Sequence, residues 1–197
     1  MIINRRKLNE TLANQAPKAL APQIFKELER EFEKAKRQLI AQFDQHEVTR
    51  ELKGGPTASN VSNTLGGQGN LHGFIGFEAT DRPIDPLRAL IVENIKIIGK
   101  RTSRKNLTFS LEINVPTADE IAAVTPIPWA PGLSWAEGIE KGISGLGNYL
   151  VKKTGKSRSG QGIQVDVQVR SATFNTTNYL TTLLKDFVNI LEKDIEI

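Results

Sequence analysis

Between residues 18 and 45 the apolar side chains fall on one helical face, and this stripe constrains the fold more than any other feature. Ile24, Phe25, Leu28, Phe32, Ala35, Leu39 and Phe43 recur every three or four residues, with Glu27, Glu29, Arg30, Glu33, Lys34 and Arg37 between them. A stripe that long and that rich in large side chains is stable only when another part of the chain covers it. Pro22 fits a first helical turn, so the regular helix is expected to begin there. A shorter helix is expected over 46–53, stopped by Gly54-Gly55-Pro56.

A partner of the right kind lies at the other end of the chain. Over 177–194, Leu180, Leu183, Leu184, Phe187, Leu191 and the following Ile195 form a second amphipathic face. Between the two helices the pattern changes to period two. Leu107, Phe109, Leu111, Ile113 and Val115 alternate with polar residues and are ended by Pro116, which reads as a strand with one buried face. Ile95 and Ile97 begin the other arm of a hairpin, with 100–106 as its polar tip. Ile163, Val165, Val167 and Val169 alternate in the same way. A short strand is expected over 71–77. Short helices are expected over 117–124, after a cap at Asp85 with Pro86 at the first helical position, and from Trp135 to about 143 behind a Ser134/Glu137 capping box. The stretches 125–133 and 145–162 read as irregular. The expected fold is therefore a single α+β domain over 1–197, a small, mostly antiparallel sheet packed against a long N-terminal helix and a C-terminal helix. Residues 54–70 hold five glycines and few large apolar side chains, and are expected to form a long flexible loop that interacts or gates.

Composition narrows the chemistry. There is no cysteine among the 197 residues, which excludes disulfides, thiolate metal sites and thiol catalysis. A net charge of +4 permits contact with nucleic acid without requiring it. No apolar run has membrane-spanning length and no signal-peptide pattern follows the basic N-terminus, so the protein is expected to be neither exported nor membrane-inserted.

Catalytic patterns fail on inspection. Gly155-Lys156-Ser157 resembles the end of a phosphate-binding loop, but the position five residues before Gly155 is Leu150 and not glycine. Gly142-Ile143-Ser144-Gly145 lacks the spacing of a nucleophile elbow. His46 and His72 have no partner at ligand spacing and read as surface or packing residues. No catalytic residue, cofactor or metal ligand is assigned, and the expectation is that the chain is not an enzyme.

Two groups of residues are candidates for contact with partners. One comprises two basic runs, Lys100, Arg101, Arg104 and Lys105 at the expected hairpin tip, and Lys152, Lys153, Lys156 and Arg158 in a Gly/Ser-rich loop. They are either solvated surface charge or contacts to DNA phosphates or an acidic partner. The absence of interleaved aromatics argues against base stacking. The other group is the proline-rich turn with Trp129, Leu133 and Trp135, in which the tryptophans either pack into the core or anchor a subunit interface.

The stretches HEVTRELKGG, SNTLGGQGNLHGFIGFE, PWAPGLSWAEGIEKGISGLGNYL and GIQVDVQVR, with the helix that follows, resemble neck or tail-completion proteins of tailed bacteriophages. The resemblance covers most of the chain in the order of its elements. It implies a structural virion protein, assembled in the host cytoplasm as a homo-oligomeric ring at the head–tail junction. Such a ring is threaded by packaged DNA and bound to neighbouring connector and tail proteins, without catalysis. The competing expectations are a nucleic-acid-binding accessory protein that uses the basic loops, and an enzyme whose site follows no known pattern.

Overall fold

A computed structural model describes residues 5–65, 69–103, 108–128, 130–141, 149–152, 162–165 and 177–193. Its longest element is α1 (Arg5–Gln45), which at about 1.5 Å per residue spans roughly 60 Å. The expected stripe is its core face: Leu28, Phe32, Ala35, Leu39 and Phe43 are all buried. The helix does not begin at Pro22 but seventeen residues earlier. Pro22 is exposed, so the carbonyl one turn back, freed by the missing N–H, is left to water.

The last helix, α7 (Leu180–Lys193), covers this stripe. Phe43 stacks on Tyr179 at 6.0 Å and Phe32 meets Phe187 edge-on at 6.2 Å, so the two helices run antiparallel. Tyr179, Leu180, Leu183, Phe187 and Leu191 are buried. The Tyr179 hydroxyl shares a 2.6 Å hydrogen bond with Thr49 in α2 (Glu47–Lys53), and burial pushes its pKa far up. The expected α2 is capped by His46, whose Nδ1 accepts from the Val48 N–H.

The segment 71–77 is a correction. It forms α3 (Leu71–Ile75) and not a strand. All seven residues are buried, and a run buried at every position carries no periodicity that separates strand from helix. The ends decide it. The Asn70 side chain accepts from the Gly73 N–H, and Gly76 closes the turn at φ 87°, a left-handed conformation that glycine adopts without strain. Helix α4 (Ile84–Asn94) also starts earlier than expected, with Pro83 and not Asp85 at the cap position. Pro86 still lies within the first turn, where its missing N–H costs nothing. Arg88 of α4 grips Asp44 of α1 through two 2.9 Å hydrogen bonds and holds that carboxyl below the usual carboxylate range.

The chain is α+β, and its described strands make three separate two-stranded antiparallel ribbons. The hairpin of β1 (Lys96–Ser103) and β2 (Thr108–Asn114) is the longest, with Lys100 opposite Leu111 and a bulge that leaves Ile98 unpaired and exposed. Phe109, Leu111 and Ile113 turn inward and half-buried, while Thr108, Ser110 and Glu112 are exposed, as the alternation requires. Phe109 meets Phe25 of α1 edge-on at 5.7 Å. After the hairpin, α5 (Ala118–Val124) opens with a complete capping box between Thr117 and Glu120.

The proline-rich stretch is not irregular. It folds into a second ribbon, β3 (Pro126–Ile127) with β4 (Ala130–Ser134), leading directly into α6 (Trp135–Lys141). Ser134 Oγ accepts from the Glu137 N–H, which is half of the expected capping box; the Glu137 carboxylate pairs instead with Lys141. The third ribbon pairs β5 (Tyr149–Lys152) with β6 (Gly162–Val165), so a strand stands where 145–162 was expected to be loop. The expected continuation through Val167 and Val169 lies outside the described residues. One hydrophobic cluster joins side chains of α1, α2, α3, α4, α6 and α7.

Candidate assembly surfaces

Polar side chains buried inside the domain hold it together. Glu51 of α2 is buried and its carboxylate is an acceptor for three donors. Oε1 takes the Leu71 N–H at 2.7 Å, and Oε2 takes the Ser62 N–H at 3.0 Å and the Ser62 hydroxyl at 2.6 Å. Asn70 adds a second clasp, its amide donating to the Pro56 and Ala58 carbonyls at 2.7 and 3.1 Å. The described part of the 54–70 loop therefore closes around a single carboxylate, and Thr64 and Leu65 are buried beneath it. Nothing in the sequence singles out Glu51, because its ligands come from 11 and 20 residues away.

His72 is fully buried beside Phe77, at 5.4 Å between rings, and neither ring nitrogen has a hydrogen-bond partner among the described residues. Burial lowers its pKa, the neighbouring Asp81 opposes the shift and Arg82 adds to it. His46 is half-buried against Tyr179 and shifted in the same direction, again chiefly by burial. Among the described residues no group of three His, Asp or Glu side chains is placed to hold a metal ion, and no helix is long and apolar enough to cross a membrane.

The candidate contact residues separate into different environments. Trp135 was a candidate interface anchor, but it is 1% exposed and packs edge-on against Phe77 at 6.4 Å, so it belongs to the core. Its position is pinned by backbone, the Trp135 N–H donating to the Thr125 carbonyl at 2.8 Å, and by the 2.7 Å hydroxyl pair of Thr125 and Ser134. Leu133, two residues before it, is 47% exposed on the ribbon and remains available to a partner. Trp129 lies outside the described residues.

Of the first basic run, Lys100 and Arg101 stand on strand β1 and not at the tip. Lys100 Nζ is 2.5 Å from Glu29 and 5.6 Å above the Phe25 ring, and Arg101 is 2.7 Å from Glu112 across the hairpin. Both are surface groups already paired with carboxylates. Arg104 and Lys105 lie outside the described residues. In the second run Lys152 ends β5, while Lys153, Lys156 and Arg158 lie outside the described residues.

Among the described residues two surfaces carry exposed apolar side chains. The first is the N-terminal part of α1. Gln15, Lys18, Ala19, Leu20, Pro22 and Gln23 are exposed, Leu20 by 41%, and Leu28 is the first buried side chain among the described positions of the helix. The second is a groove of about 470 Å³ between hairpin and C-terminal helix. Leu111, Ile113 and Val115 form one wall, Phe187, Val188 and Leu191 the other, with Glu192 at one end. Comparison of the chain with protein-family models, with curated proteins and with solved structures finds no match.

Proposed function

We propose that the chain is a structural assembly subunit, a neck or tail-completion protein of a phage head–tail junction that forms rings with copies of itself. The observation that carries the reading is the open apolar groove beside α7, with the large apolar side chains Leu20 and Leu133 also exposed among the described residues. A monomer gains nothing from an open apolar groove, whereas a subunit gains a contact with a neighbour. The resemblance of the 46–78 and 128–150 stretches to phage neck proteins supplies the setting in which such contacts are repeated around a ring.

The accessory nucleic-acid reading draws less support. Its described basic side chains, Lys100 and Arg101, already face Glu29 and Glu112, which reduces the charge available to phosphates. The test of the assembly reading is particle mass and negative-stain electron microscopy of the purified full chain, followed by antibody labelling of phage particles that contain it. Closed rings, and label at the head–tail junction, are expected. A chain that stays monomeric up to high micromolar concentration, or that binds DNA steeply and salt-dependently as a monomer, would replace this reading with the accessory one.

A further inference from the structure

We propose that the segment from His72 to Arg82 is an acid-released flap over Trp135, with the His72 imidazole as its trigger. The device belongs to the single chain and does not depend on what that chain assembles with. The ring of His72 is fully buried, and neither nitrogen has a hydrogen-bond partner among the described residues. A neutral imidazole carries one N–H, whereas a charged one carries two and a full charge besides. The closed site therefore favours the neutral ring, and a proton taken up there has to be met by movement.

His72 is also the pivot of the segment. The Gly76 and Phe77 N–H groups both donate to its carbonyl, the second at 3.2 Å. Phe77 then lies 5.4 Å from the imidazole and, at 6.4 Å, edge-on to Trp135. Behind it the turn is clasped by Asp81: its Oδ2 accepts from the Glu78 N–H at 2.7 Å, and its N–H donates to the Glu78 carbonyl at 3.0 Å. Glu78, Ala79, Thr80 and Arg82 are exposed. Both ends are anchored, Leu71 by its N–H on Glu51 and the far end by the buried Pro83 and Ile84, so an opening is confined to the residues between.

Charge supplies the second state. Asp81 favours a proton on the ring and Arg82 opposes it, and Glu78 stands on the same turn. From α2, Glu51 meets α3 at the Leu71 N–H and is otherwise taken up by Ser62. The turn Gly55–Thr57 and strand β6, which also pack against α3, carry no charged side chain. On α6, behind Phe77, Glu137 pairs with Lys141 and Glu140 accepts from Thr181. The imidazolium thus has its carboxylate partner in Asp81, towards the surface. Reaching it breaks the Asp81–Glu78 clasp and carries Phe77 off Trp135, so an apolar surface of Phe77 and Trp135 is uncovered only in acid.

Amide exchange of the full chain at about pH 7.5 and about pH 5 tests this, the lower value lying above the ordinary carboxylate range. With a histidine of ordinary value, 6.5, in the open state, the open population gains up to about thirtyfold over that interval. Protection factors at the Gly76 and Phe77 amides should fall by about tenfold or more, and the Trp135 indole N–H should lose protection with them. At about pH 5 these groups should exchange ahead of Phe32 and Leu39 of α1 and without dependence on low urea, the mark of a local opening. His72→Leu should hold them closed at both pH values. Asp81→Asn keeps an acceptor for the Glu78 N–H at a partly exposed position, so it should fold as the wild type does and need a lower pH for the same loss. His46 titrates in the same range, but its Nδ1 accepts from the Val48 N–H, so its effect is read at Val48 and survives His72→Leu. Unchanged protection at Gly76 and Phe77 would overturn the inference. So would exchange in step with Phe32 and Leu39, an undiminished acid response in His72→Leu, or an Asp81→Asn chain that opens at the wild-type pH.

Discussion

Replacing Glu51 by Ala removes the acceptor on which the 54–70 loop closes. The side chain is buried, and its loss strands the Leu71 N–H, which is buried, and the Ser62 N–H and hydroxyl, which are partly buried. A buried donor left without a partner costs about 1–3 kcal/mol. The Leu71 amide should bear a cost in that range and the Ser62 groups less, because water reaches them, giving a total of about 3 kcal/mol. For a chain of this length each kcal/mol shifts the melting temperature by roughly 2–4 °C, so a drop of roughly 6–12 °C is expected. Glu51→Gln keeps one acceptor oxygen but turns an NH₂ towards one donor, and should fall between wild type and Ala. Urea unfolding should show the loss in the midpoint with an unchanged slope, and amide exchange at Leu71 and Ser62 should quicken in the Ala variant. A Glu51→Ala chain within about 0.5 kcal/mol of wild type, the range of an ordinary surface change, would refute the idea that this carboxylate holds the loop.

Trp135→Ala should cost about 3–5 kcal/mol in urea unfolding, whereas Leu133→Ala, on the exposed ribbon, should leave unfolding almost unchanged; equal effects would contradict their opposite placements. Stability should fall on acidification from about pH 6.5 downwards, because burial depresses the pKa of His72 and of His46 below the unfolded value of 6.5. The unfolded chain then binds more protons than the folded one, so the stabilisation is complete above 6.5 and is lost as pH falls towards the lower folded values; His72→Leu should flatten this part of the profile, and an unchanged slope would show that His72 does not contribute. Lys100→Ala combined with Arg101→Ala should change stability by less than about 1 kcal/mol, since both pairs are exposed; a larger loss in thermal unfolding would mean that the hairpin depends on them.

The long helices were legible because periodicity is a local record of burial. The Leu28–Phe43 stripe and the Leu180–Leu191 face each state which side is covered, and the structure covers each with the other. The alternation of Phe109, Leu111 and Ile113, and the Thr117/Glu120 box, were legible for the same reason: all their partners lie within a few residues. The candidate surfaces were harder. Leu133 and Trp135 look alike in a proline-rich turn, and only the ribbon that joins Thr125 to Ser134 sends one outward and the other against Phe77.

What the sequence determined by itself is thus the class of the fold, α+β, together with the two faces that build its core and the lack of any thiol chemistry. Tertiary structure decided the rest. It made 71–75 a helix, because the run 71–77 is buried at every position and only the Asn70 and Gly76 ends distinguish the alternatives. It also closed the glycine-rich loop on Glu51 and opened the groove beside α7. Each of these depends on groups brought together from distant parts of the chain, Glu51 with Leu71 and β2 with α7, and a pattern read over one turn or one strand holds no information about such meetings.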